Sequence, residues 1–113
     1  MKLNPKQAKK IFDNPTKTAE VADLIYTSEE KLSVVRKKYG RGFIYLENDK
    51  KIKDKERIAR FKSFVIPPAW TKVRISAIEN SHLQVIGKDD KNRTQYLYHP
   101  LWNKIRNSTK FFG

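Results

Sequence analysis

From Lys72 onward the chain divides its apolar residues into three short runs, 72–79, 83–87 and 94–98, joined by the polar turns NSH and KDDKN. Runs of this length, rich in β-branched and aromatic residues and bounded by Asn, Ser, His and Asp, read as strands. Turns this short join antiparallel neighbours, and the last pair is a hairpin. Upstream, GFIYLENDKKI repeats the pattern: a strand from Phe43 to Glu47, a turn at Asn48 and Asp49, and a return strand through Ile52. Between the two groups, DKERIARFKSF places Ile58, Phe61 and Val65 on one helical face, opposite Lys55, Arg57, Arg60 and Lys62. The tandem prolines of IPPAW end that helix, because they remove donors and push the preceding residue to an extended conformation. Trp70 is expected to pack under the resulting turn.

The ends are less constrained. Asn4 and Pro5 begin a short basic helix that Asn14 and Pro15 stop, while Ala19–Tyr26 is too short for periodicity to decide and is read as a strand at Asp23–Thr27. Ser28 caps a turn or irregular loop leading into RKKYGRG, which is read as a basic loop. His99 and Pro100 start a C-terminal helix with Leu101, Trp102, Ile105 and Phe112 on its apolar side. The expectation is an α+β fold: an antiparallel sheet of about five strands with a few short flanking helices. In 113 residues there is room for one domain, 19–113, preceded by a basic helical appendage, 1–18.

Charge supplies the first indication of a partner. The net charge is +13, of which +5 accumulates through Glu56 and +8 in the remainder, so the second half is the less compensated one. A polyanion is the natural ligand. There is no cysteine, which fits a reducing, cytoplasmic setting. The first 18 residues lack the apolar core of a secretory signal and no apolar run is long enough to span a bilayer, so a membrane partner is not expected.

Two constellations could meet a polyanion. In the hairpin GKDDKNRTQYLYHP, Lys88, Lys91 and Arg93 cluster at the tip, Gln95 and Leu97 share one face, and Tyr96 and Tyr98 share the other. The tyrosines are either core residues whose hydroxyls reach the rim, or contacts to phosphates beside a Gln95 that can pair with a base edge. In RKKYGRGF the cations Arg36, Lys37, Lys38 and Arg41 surround Tyr39 between glycines; this is either a solvated face or a phosphate-contacting ridge. His82 and His99 have no partner at ligand spacing, and Asp89 and Asp90 read as turn caps. No metal site and no nucleophile with a base partner is apparent.

RGFIYL, the acid- and lysine-rich helix DKERIARFKSF, IPPAW and HLQVIGKDDKNRTQYLYHPLW, taken in order over residues 24–106, resemble the N-terminal domain of type IB DNA topoisomerases of the bacterial and poxvirus branch. The resemblance implies a small clamp domain that covers one side of double-stranded DNA, while a C-terminal domain of the same protein cleaves one strand through a tyrosine. It implies DNA contacts at Gln95, Tyr96 and Tyr98 with Arg93 adjacent, no cofactor, a monomer, and a place on the bacterial nucleoid. None of Tyr26, Tyr39, Tyr45, Tyr96 or Tyr98 is then the nucleophile. Asn92 stands where the family usually has Gly, and Thr94 where the poxvirus form has a basic residue. The rival reading from composition is a single-stranded RNA-binding module, with exposed tyrosines stacking on unpaired bases. A surplus charge serving a protein partner or solubility is the third.

Overall fold

The computed structural model describes Ala19 and residues 23–109; the basic helix before Thr18 and Phe112 lie outside the described residues. Six strands form one antiparallel sheet: β1 (Val34–Tyr39), β2 (Gly42–Glu47), β3 (Lys50–Lys51), β4 (Thr71–Ile75), β5 (Leu83–Lys88) and β6 (Thr94–Tyr98). Their order is β3-β2-β1-β4-β5-β6, so two hairpin ribbons meet where β1 pairs with β4, Val34 opposite Ile75. Helix α1 (Lys55–Ser63) connects the ribbons, and α2 (Pro100–Thr109) follows β6.

Local chemistry accounts for the turns. Asn48 and Asp49 both adopt positive φ, as a two-residue loop of mirror-image type requires. Gly40, at φ 58°, closes the β1–β2 hairpin. Asn92, at φ 61°, takes the left-handed position in the β5–β6 loop, which Asn tolerates better than other side chains. At the start of α1 the Asp54 carboxylate accepts from the amides of Glu56 and Arg57 at 2.9 and 3.3 Å, capping the helix.

The main core lies on one face of the sheet, and a smaller buried cluster on the other joins Ile86 to Leu83 and Leu32. In the main core Val34, Tyr45, Ile52, Val73, Ile75 and Val85 are buried against Phe61 of α1, with Ile58, Phe64, Ile66, Trp70 and Leu97 packed around them. A third cluster joins Trp102 and Ile105 of α2 to Ala19 and Leu24. Trp70 does pack beneath the proline turn, closing on Gly87, where an added Cβ would stand 3.0 Å from its ring.

The expected α+β fold with its antiparallel sheet is present, with six strands. Two expectations are corrected. RKKY is not loop but most of β1, hydrogen-bonded between β2 and β4. Its charge run hid the alternation: Val34 and Arg36 turn to the core side while Val35, Lys37 and Tyr39 turn away. Asp23–Thr27 is not a strand; it makes one isolated parallel bridge, Ile25 with Ser81, and Asp23 has φ 56°.

Candidate nucleic-acid interface

Strand register decides which side chains share the face away from α1. Lys51 lies opposite Leu46, Leu46 opposite Val35, Val35 opposite Arg74, Arg74 opposite Ile86 and Ile86 opposite Tyr96, so these six form one row across the whole sheet. Because successive residues alternate faces, Lys37, Tyr39, Lys88 and Tyr98 join the same side. Tyr96 and Tyr98 are 40% and 36% exposed, and their rings stack with centroids 6.2 Å apart, so the choice between sealed core residues and open-face residues falls to the second. Tyr39, at the far end of the face, is 69% exposed.

The hairpin tip is organised by one carboxylate. Asp89 accepts from the amides of Lys91 and Arg93, both at 2.9 Å, from Arg93 Nε at 2.8 Å and from Gln95 Nε2 at 3.0 Å. The Arg93 amide is the largest of the influences that lower its pKa to about 2. Lys88 Nζ donates to Thr94 Oγ1 at 2.6 Å. Arg93 and Lys91 remain exposed to solvent, and Gln95 is half-buried with its amide oriented by Asp89.

The second basic constellation is split by its strand. Arg36 is 9% exposed; its guanidinium donates to the carbonyls of Ile66, Pro67 and Trp70 at 3.2, 3.0 and 3.0 Å and lies over the Phe43 ring. Burial pulls its pKa below the usual arginine value. It is a structural residue, and the expectation that it belongs to the exposed basic group is corrected. Lys37, Lys38 and Arg41 are exposed, Lys37 on the tyrosine face, Lys38 on the opposite one and Arg41 in the turn. Two members of the face were missed: Arg74, whose mid-strand position only β-pairing reveals, and Lys51, whose ammonium lies 5.9 Å from the centre of the Tyr39 ring.

Both histidines are structural. The amide of Thr27 donates to His82 Nδ1 at 2.9 Å, and the ring stacks on Tyr26 and meets Trp102 edge-on. His99 Nδ1 accepts from the amide of Leu101 at the start of α2. Among the described residues no group of His, Asp or Glu could hold a metal ion, and no helix is long and apolar enough to cross a membrane. The phenol shifts run upward at Tyr45 and Tyr98 through burial and at Tyr96 through its hydrogen bond to Glu29, the opposite of an activated nucleophile.

The chain is thus an α+β domain whose open sheet face combines tyrosines with lysine and arginine. Residues 42–89 match the family described as bacterial DNA topoisomerase IB, N-terminal domain. DNA topoisomerase 1B of Acanthamoeba polyphaga mimivirus is 38% identical over 80 residues, which cover 69% of this chain and 24% of that relative. The chain carries an N-terminal domain of the type IB DNA topoisomerase family. It spans about a quarter of the length of the viral relative. These matches do not favour the RNA-binding alternative.

Proposed function

We propose that this domain binds duplex DNA as the clamp of a type IB topoisomerase, a separate catalytic domain of the same protein supplying the tyrosine that cleaves one strand. The observation that carries the reading is the pair of stacked, exposed tyrosines, Tyr96 and Tyr98, on an edge strand beside the cations of the hairpin tip. The major groove, about 12 Å wide, admits a two-stranded ribbon such as β5–β6. Within it Gln95 offers a donor and an acceptor to a base edge, the tyrosine hydroxyls reach phosphates or bases, and Lys88, Lys91, Arg93 and Lys37 displace counterions from the backbone. Lys38 and Arg41 add to the surrounding positive potential. The parent enzyme relaxes supercoils through a transient 3′-phosphotyrosine without ATP or an obligatory metal; the domain works on the nucleoid as a monomer and by itself cleaves nothing.

Fluorescence anisotropy of the chain against a labelled duplex and a single-stranded RNA of equal length tests the reading. The expected result is a preference for the duplex with affinity falling in salt by about 0.9 log units per log unit for each phosphate neutralised. Salt-independent binding, or a preference for the RNA, overturns it.

A further inference from the structure

The charged strand residues of the open face, Lys37, Lys51, Arg74 and Lys88, are all basic, and the acidic exception comes from outside the sheet. A short 3-10 turn, Glu29–Lys31, precedes β1, and Glu29 Oε1 lies 2.9 Å from Tyr96 Oη. A carboxylate only accepts, so the phenol donates its single proton to Glu29. That proton is then spent and cannot be given to a phosphate oxygen, whereas the lone pairs of Oη stay free to accept. The carboxylate also repels a phosphate approaching the same spot. What an accepting oxygen can meet in the major groove is an exocyclic amino group, the N4 of cytosine or the N6 of adenine.

We propose that Glu29 is a specificity-determining residue: by taking the Tyr96 proton it converts this tyrosine from a phosphate contact into a reader of base amino groups. The inference rests on the duplex-binding reading above. It gives the acidic turn a reason to sit against a face that otherwise attracts anions, namely to lower indiscriminate backbone affinity while leaving base contact open. The upward displacement of the Tyr96 pKa, caused first by the Glu29 hydrogen bond, agrees with the contact.

The test compares the chain with Glu29→Ala, Tyr96→Phe and the double variant by anisotropy on a random-sequence duplex, with ultraviolet titration of the phenols in the absence of DNA. Glu29 is exposed on a surface turn, so its truncation leaves the core intact. Glu29→Ala is expected to bind the random duplex roughly two- to fivefold tighter at low salt, the scale of an exposed charge contact, and to discriminate less among sequences. The gain should shrink when Tyr96 is already Phe, and Tyr96 should titrate at lower pH once Glu29 is gone. An equal gain in both backgrounds would make Glu29 a merely repelling charge and overturn the proposal, as would unchanged or weaker binding or an unmoved phenol titration. Wild-type binding with no effect of Glu29→Ala sinks this inference alone; no duplex binding by either protein removes the clamp reading and the inference together.

Discussion

The guanidinium of Arg36 and the carbonyl of Trp70 lie 3.0 Å apart, joining the middle of β1 to the end of the proline turn. The same group reaches the carbonyls of Ile66 and Pro67. A turn built on two prolines leaves carbonyls with few nearby amides to pair with, and a planar fork of five N–H donors can serve several at once. The turn in turn holds Trp70 over Gly87 on β5, so one arginine links the two ribbons of the sheet across the core side.

Replacing that fork should therefore cost stability rather than DNA affinity. Arg36→Met leaves three carbonyls without their donor, and Arg36→Lys supplies a point charge in place of a fork. Both are expected to lower unfolding free energy by roughly 1–3 kcal/mol in urea titrations. Duplex affinity of the folded protein should stay unchanged. A loss of affinity without a loss of stability would return Arg36 to the DNA-contacting group.

Gly87 is constrained by its neighbour rather than by its own backbone angles. A Cβ there would sit 3.0 Å from Trp70 Cε3 and 3.2 Å from Val73 Cγ2, so the indole must give way by a few tenths of an ångström in a packed core. Gly87→Ala should destabilise by about 1–2 kcal/mol, in line with overpacking. A stabilised variant in thermal unfolding would mean that the Trp70 ring is loosely held.

Acid should weaken the fold well before the carboxylates titrate. Burial lowers the pKa of His82 below its ordinary 6.5, opposed only in part by the Ile25 backbone, and burial followed by the Arg60 charge lowers that of His99. With the folded value depressed, the unfolded chain binds more protons in the interval between the two, so the stabilisation is complete above 6.5 and lost as pH falls through the folded values. Protonation would also set an N–H of His82 against the amide of Thr27 that now donates to it. Urea midpoints should hold level above about pH 6.5 and decline as the pH is lowered below it, and decline less steeply in His82→Phe. A flat profile contradicts the assignment.

The parts of this fold that follow from local chemistry were legible in the chain. The 94–98 alternation put Tyr96 and Tyr98 together on one face, Asn48 and Asp49 marked a hairpin, and Ile58 and Phe61 marked the buried side of α1. What stayed hidden depends on partners far along the chain. Arg36 looked like one of four equivalent cations because its carbonyl partners lie 30, 31 and 34 residues away. The glycines of VVRKKYGRGFIYL are themselves a hairpin signal, and weighing them above the charge run would have found β1. Arg74 and Glu29 reach the site only through the pairing of β1 with β4 and the placement of the turn before β1.

Within the hairpin, charge and base recognition should separate experimentally. Lys91 is an exposed cation at the tip, so Lys91→Ala should weaken binding to all duplexes alike and reduce the salt slope by about one. Gln95 carries no charge, so Gln95→Ala should leave the slope intact and change discrimination among sequences by about 1–3 kcal/mol if its amide meets a base edge. Identical effects of the two substitutions would deny Gln95 a part in base recognition.

Asp89 provides the sharpest contrast with Glu29, because both are acidic residues at a basic interface and their removal should act in opposite directions. With a pKa of about 2 the Asp89 carboxylate stays ionised at any working pH, and its four hydrogen bonds fix the loop backbone, Arg93 and the Gln95 amide together. Asp89→Ala removes a negative charge that a simple electrostatic account would count as unfavourable to DNA. It also frees Arg93 and Gln95 to wander, so that their ordering must be recovered on binding. Duplex binding should therefore weaken, and the amides of Lys91 and Arg93 should exchange hydrogen faster in the free protein. Tighter binding by Asp89→Ala would mean that net charge, and not a preformed tip, governs the contact.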